Sequence, residues 1–378
     1  MIDEKKKDPS LQAIEDTVAQ NATALAAGSE AEVATENEVE VTSLEENVKA
    51  LSPMRLVLKR FFRSKLSIVG LSIIIFLFLF SFLGPVIFTR WGELDIDRGK
   101  NITQTVDQSF TDALLPDGSS VEITQVSVTP QDINSLAAPS AKHWLGTDVI
   151  GMDVFTRLMF GGRISLLVSL IVVFLETFLG VILGGLAGYF GKWVDQVIMR
   201  IVDIFICIPT FPLLLLAGSL LDAFEVDPAL RIYYLMIILT LLGWAGTARI
   251  VRGQILYLRE QEYMVAAEAM GLSTPRKIFK HLVPNVMPQL IVSMTLGLGG
   301  TILYEASLSY LGLGVQAPYA AWGTMINVAS PSSPNGANIL ANNLWVWGPP
   351  GVAIILAVLG FNFIGDGLRD ALDPRMKR

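Results

Sequence analysis

Six stretches of the chain stay apolar over lengths that a soluble core helix does not need: 66–88 and, approximately, 164–189, 201–221, 232–250, 287–311 and 347–367. Each matches the ~20 residues that cross ~30 Å of hydrocarbon, so the pattern predicts six transmembrane helices. The polar stretches between them differ in kind. Residues 89–162 are rich in Thr and Gln, and Asp117-Gly118 precedes an alternating run at 121–128; this predicts a small insert built on a β-hairpin. A short amphipathic helix around 153–160 should lead from the insert into the second span. Within the spans, Gly180, Gly184 and Gly188 recur every four residues, which lets another helix approach closely. Pro209 and Pro212 interrupt the third span, where neighbours must satisfy the freed carbonyls. Residues 1–52 show no apolar period and read as a disordered tail.

Composition agrees with a membrane protein of the all-α class: hydrophobic residues make up 52% of 378. The net charge of −7 is concentrated at one end, with twelve acids and four lysines in residues 1–52 against 23 acids and 24 bases elsewhere. Short segments at 55–65, 190–200, 249–280 and 368–378 hold 17 Lys/Arg in 65 residues, while 89–163, 223–231 and 312–346 hold 7 in 119. Positive residues stay inside, so both termini are expected in the cytoplasm and the insert outside. The first apolar run begins only at Leu66, so it is read as an uncleaved first span. The organisation is then an acidic tail (1–52), a basic collar with the first span (53–88), an extracytoplasmic insert (89–162) and a five-span core (163–378). A single cysteine, Cys207, excludes an intrachain disulfide, and no Gly-x-x-x-x-Gly-Lys-[Ser/Thr] loop offers a nucleotide site.

Residues 255–285 form the longest cytoplasmic connection. Ala266, Ala267 and Ala269 mark a helix with little side-chain bulk, open to a partner surface. Gly271 is a natural terminator because it accepts positive φ, and Ser273 with Pro275 restarts a second, basic helix carrying Arg276, Lys277 and Lys280. Pro284 precedes the fifth span. Two acids, Glu176 and Glu305, lie inside apolar runs and are candidates for the pathway or a subunit interface. Asp148, Asp153 and Arg157 are readable as an acid pair with a cation, but fit better as a helix cap and interfacial charge. His281 reads as a packing residue.

The 255–285 stretch resembles the "EAA" loop of permease subunits of binding-protein-dependent ABC importers, with Ala266, Ala267, Gly271 and Pro284 on the pattern. Val265 stands where that pattern has its leading Glu, and Val283 where it has Leu. His143-Trp-Leu-Gly-Thr-Asp148 with Asp153 and Arg157, Glu305-Ala-Ser-Leu-Ser-Tyr-Leu-Gly-Leu-Gly314 with Trp322-Gly323, and Gly365-Asp-Gly-Leu-Arg-Asp370 with Leu372-Asp-Pro-Arg375 resemble further segments of OppC/DppC-like peptide permeases. The resemblance covers about 53–378. It implies a type I importer permease that is not itself an enzyme. It implies a similar second permease, two ABC ATPase subunits that bind ATP-Mg, and an extracytoplasmic peptide-binding protein. Coupling to the ATPases would run through Tyr263, Ala266, Ala267, Glu268, Gly271 and Pro284. No cofactor is expected in this chain, and no nucleic-acid partner; the expected location is a prokaryotic cell membrane. Two other readings are a proton-coupled carrier using Glu176 or Glu305, and an outer-face hydrolase, which lacks a nucleophile motif.

Overall fold

The computed structural model describes residues 53–98, 102–114 and 120–372, so the acidic tail, the Asp117-Gly118 turn and residues 373–378 lie outside it. The chain divides into residues 1–56, of which only the first turn of α1 (Pro53–Phe61) is described, and residues 57–378, to which the following refers.

Among the described residues, five helices are long and apolar enough to cross a membrane: α2 (Lys65–Ile87), α3 (Val154–Phe190), α6 (Pro228–Arg259), α8 (Thr274–Tyr310) and α11 (Leu344–Leu372). A sixth crossing is made if α4 (Lys192–Cys207) and α5 (Thr210–Ala223) count as one span, bent by 77°. The bend follows from Pro209 and Pro212, which cannot donate to the carbonyls of Phe205 and Ile208 and so cannot continue a straight ladder. The chain is therefore a multi-pass, helical membrane protein. Its insert carries two strands, β1 (Ile102–Leu114) and β2 (Ser120–Asp132), paired antiparallel with Val106 opposite Val128.

The second span begins earlier than its apolar run. Asp153 caps α3, its Oδ2 accepting the Thr156 amide at 2.8 Å. Gly161-Gly162 follows without stopping the helix, the pair instead letting α3 pass close to Ala321 and Trp322, so the amphipathic stretch and the span form one helix of 37 residues. Two spans carry a turn of π-helix, Leu79–Leu83 in α2 and Lys277–Leu282 in α8. Each sits just ahead of a proline, Pro85 and Pro284, whose ring would press on the carbonyl four residues back; a widened turn relieves that contact.

The tightest seam joins α3 to α6. A Cβ on Gly180 would meet Thr247, one on Gly184 the carbonyl of Ala248, and one on Gly188 the carbonyl of Arg252 and the side chain of Ile255. The glycine stripe thus brings backbone against backbone. Beside this seam, Arg252 of α6 grips Asp195 of α4 with two hydrogen bonds of 2.8 and 2.5 Å. The hairpin half of the core is built on Val154, Leu166, Ile302, Trp322 and Ala357, with α2 and α11 completing it. A second cluster of Val251, Ile255, Met264, Leu282, Val286 and Leu290 closes the other end. It holds the short helix α7 (Glu262–Ala269). The remaining helices, α9 (Trp322–Asn327) and α10 (Gly336–Asn342), lie between α8 and α11 in sequence.

Gly184→Val should force the α3–α6 seam apart at a cost of about 1–3 kcal/mol, read as a lower unfolding temperature of the purified chain. Gly253→Ala, where an added Cβ meets nothing within 4 Å, should leave it unchanged or raise it by removing backbone freedom from the unfolded state.

Candidate functional site

The sequence-marked residues gather at the two ends of the spans. At one end, α7 lies across the helix termini. Met264 and Ala267 are buried beneath it, at 3% and 2% exposure, and Met264 packs into the cluster of Val251, Ile255, Leu282 and Val286. The helix closes on Gly271 at φ +72°, with the Leu272 amide on the Ala267 carbonyl and the Gly271 amide on the Glu268 carbonyl. This double bond pattern is a Schellman stop, which requires the left-handed residue that glycine supplies.

The small side chains of α7 therefore do two different things. Ala266 and Ala269 lie on the open face, whereas Ala267 is turned into the core, where its size serves packing. Around the open face stand Tyr263, Val265, Met270 and Phe279, the last two more than 70% exposed. Glu262 and Glu268 supply charge on the same face, and Pro284 is exposed at the start of the long stretch of α8.

Four contacts tie together α7, the start of α8 and the ends of α3 and α6. Asn285 donates to the Tyr263 hydroxyl at 3.4 Å. Lys277 lies 3.8 Å from Glu268 and places its ammonium over the Tyr189 ring at 5.7 Å from the centroid. Arg259, at the end of α6, donates to the Tyr189 carbonyl at 2.9 Å. The last turn of α3 is thus held from α6 and from α8 at once. Sequence reading named Tyr263, Glu268 and Lys277 but not Tyr189 or Arg259, which no local pattern marks.

At the hairpin end, Glu305 is an internal hub. It accepts from the Ser165 hydroxyl at 2.8 Å and the Ser309 hydroxyl at 2.7 Å. Ser165 Oγ in turn takes the Trp322 amide, and the Trp322 indole donates to the Leu158 carbonyl at 3.1 Å. One carboxylate, 2% exposed, ties α3, α8 and α9. Glu176 is placed differently, midway along α3 in a notch where Gly243 leaves no side chain; a Cβ there would strike its carboxylate. Among the described residues it has no hydrogen-bond or ion-pair partner.

The loop before α3 holds a second polar knot. His143, 1% exposed, faces Asp153 Oδ1 at 2.8 Å through Nδ1 and Asp97 Oδ2 at 3.0 Å through Nε2. Asp97 also binds Lys142 at 2.5 Å and the Asn134 amide at 3.0 Å. Asp148 takes Arg157 Nε at 3.1 Å and two backbone amides, and Arg157 reaches the Pro318 carbonyl at 2.9 Å. Asp148, Asp153 and Arg157 therefore fold the loop, each spent on a cap or a pair. Burial alone would raise the Asp97 carboxyl, but hydrogen bonds from Lys142, Asn134 and His143 outweigh it and hold the group at about 2, below its ordinary 3.8.

The chain matches the family model "Binding-protein-dependent transport system inner membrane component" over residues 180–378. It also matches "N-terminal TM domain of oligopeptide transport permease C" over 52–104. It is similar to the dipeptide transport system permease protein DppC of Bacillus subtilis, 38% identical over 320 residues that cover 85% of each chain. It is 36% identical to the oligopeptide transport system permease protein OppC of the same organism, across 87% of this chain and 92% of that one. A putative peptide permease protein of Brucella suis is 43% identical over 249 residues, covering 65% of this chain and 78% of the relative.

A carboxyl whose folded value lies below its unfolded one adds stability above the unfolded value and loses it as pH falls through the folded one. Asp97 should thus contribute about 2 kcal/mol at neutral pH, lost between pH 3.8 and about 2. Thermal unfolding of purified protein across that interval should show the loss, and Asp97→Asn should flatten this part of the profile while lowering stability at pH 7.

Proposed function

The chain belongs to the family of binding-protein-dependent transport system inner membrane components, and from that membership we propose that it is a permease subunit of an ATP-driven importer of peptides. The peptide substrate is supported by the names of its relatives, dipeptide and oligopeptide permeases among them. It is a transport subunit and not an enzyme. ATP-Mg would be bound and hydrolysed by two separate ATPase subunits, a similar second permease would complete the pathway, and an extracytoplasmic binding protein would deliver the peptide. The excess of Lys/Arg on the α7 side supports a cytoplasmic position for α7 and for both termini, in the cell membrane of a prokaryote.

The observation that carries this reading is the construction of α7. Its open face carries Tyr263, Val265 and the small Ala266 and Ala269 beside Glu262 and Glu268 and is uncovered in the single chain, while its other face is sunk among the ends of α6 and α8. A helix built in this way suits docking in a groove of an ATPase. Closure of the ATPases on ATP would push α7. The Lys277, Arg259 and Tyr189 contacts would then hand the displacement to α3, α6 and α8 as a rigid body. Val265 replaces the acid of the usual pattern, so docking would rest on shape, on Tyr263, Val265 and Met270, and on the charge of Glu262 and Glu268. Gly271 would set the angle between the helices, and Pro284 the start of the span.

Ala266→Asp and Ala267→Asp separate docking from folding. Ala266→Asp should leave the unfolding temperature unchanged and reduce ATP-dependent peptide uptake about tenfold, a coupling loss on the order of 1.4 kcal/mol. Ala267→Asp buries an unpaired carboxylate and should cost about 3–5 kcal/mol of stability. Uptake in proteoliposomes with the ATPases, run with and without ATP and a protonophore, reads both. Uptake by Ala266→Asp at the wild-type rate, or uptake that needs the proton gradient and not ATP, would remove the proposal.

A further inference from the structure

A groove of about 710 Å³ runs between α2, the start of α3 and α11, and its walls are almost wholly apolar. Phe76 and Phe80 form one side, Trp345 and Val352 the other, and Phe155 closes the end nearest the hairpin. Local sequence opens it. The π-turn at Leu79–Leu83 widens α2 beside it, and Gly348 and Pro349 leave a shallow strip along α11. From Leu344 to Leu356 the groove follows about 18 Å of helix. This is close to the ~15 Å depth of one leaflet's hydrocarbon.

The hairpin end of the groove meets a different chemistry. Phe155 is also the wall of a small pocket lined by Arg90, Trp91, Lys142 and Trp144, with Asp153 at its floor already paired to His143. Its ring packs on Phe80, Phe88 and Trp144 at centroid distances of 5.2–5.5 Å. Tryptophans at this level mark the boundary between hydrocarbon and headgroups. Two cations stand there. Arg90 spends one N–H on the Ala141 carbonyl, and Lys142, half exposed, shares its ammonium with Asp97.

We propose that this groove is a phospholipid site, with one acyl chain laid along α2 and α11 and the phosphate held by Arg90 and Lys142. The geometry favours a lipid over a helix of a neighbouring subunit. An extended acyl chain fits the length, the depth and the apolar walls, and a phosphate matches the cations at the boundary. The site stands apart from α7 and from the transport reading, so it does not depend on either.

Native mass spectrometry of the purified chain, after detergent exchange and addition of phosphatidylglycerol, tests it. Wild type should retain one phospholipid; Val352→Trp, which fills the groove from an exposed position, should lower retention about tenfold, equivalent to 1.4 kcal/mol. Arg90→Gln should lower it about threefold, and diacylglycerol, which lacks the phosphate, should bind more weakly than phosphatidylglycerol by a similar factor. If Val352→Trp does not fold, phosphatidylglycerol brominated on its acyl chains should quench wild-type fluorescence, and Trp345→Phe should remove part of that quenching. Equal retention by wild type and Val352→Trp, or quenching unaltered in Trp345→Phe, would overturn the site. Equal binding of diacylglycerol and phosphatidylglycerol would overturn the assignment of the phosphate.

Discussion

The close approach of α3 and α6 is the constraint from which the rest of the molecule follows. In hydrocarbon the apolar effect gives two helices no reason to prefer each other over lipid, so association depends on packing at short range. Gly180, Gly184 and Gly188 supply that range by removing every side chain from one stripe of α3, and α6 fills it with Thr247, Ala248 and backbone carbonyls. The two helices are 37 and 32 residues long. Both run from the hairpin end to the α7 end, and a seam fixed in the middle sets the relation of the two ends.

Polar groups then determine how each end is finished. At the hairpin end buried carboxylates tie the segments together, Asp148 and Asp153 through backbone amides as well as charged side chains, Asp97 and Glu305 through side chains alone, and each accepts two or more hydrogen bonds or ion pairs. A buried acid left with one partner removed would cost several kcal/mol, so these knots close together or not at all. At the other end the requirement is reversed. A face of small, apolar and acidic residues is left open on α7, while its inner face and Lys277, opposite Glu268, hold it to the spans. That combination, held below and uncovered above, is the basis of the coupling role proposed for α7.

Glu176 fits neither pattern. Its notch at Gly243 is shaped to the carboxyl group, and its neighbours in the single chain leave it without a partner. Intramembrane acids are kept at an energetic cost, and its position on the same stripe as the three glycines puts it one turn beyond the tightest part of the seam. Pro209 and Pro212 add a second irregularity at depth, where broken spans of transport proteins expose backbone to a cavity rather than to lipid.

Much of this was legible in the residues themselves. Run length and hydropathy set the spans, because crossing hydrocarbon fixes a minimum length whatever the fold. Gly271 marked the stop of α7, because positive φ is a local property, and the α7 stretch was recognisable from its small residues and its proline. What the residues did not determine was direction and partnership. Ala266 and Ala267 are identical in kind, and only the placement of α7 on Met264 and the ends of α6 and α8 turned one out and the other in. Glu305 and Glu176 looked alike as acids in apolar runs. Yet Ser165, 140 residues away, made the first a structural hub, while an absent side chain at Gly243 made room for the second. Asp97 had no local signal at all, since its role depends on Lys142 and His143, brought to it across the insert. Local sequence specifies conformation and burial tendency; which groups meet is settled only when distant segments pack, because a hydrogen bond or an ion pair has no meaning until both partners are placed.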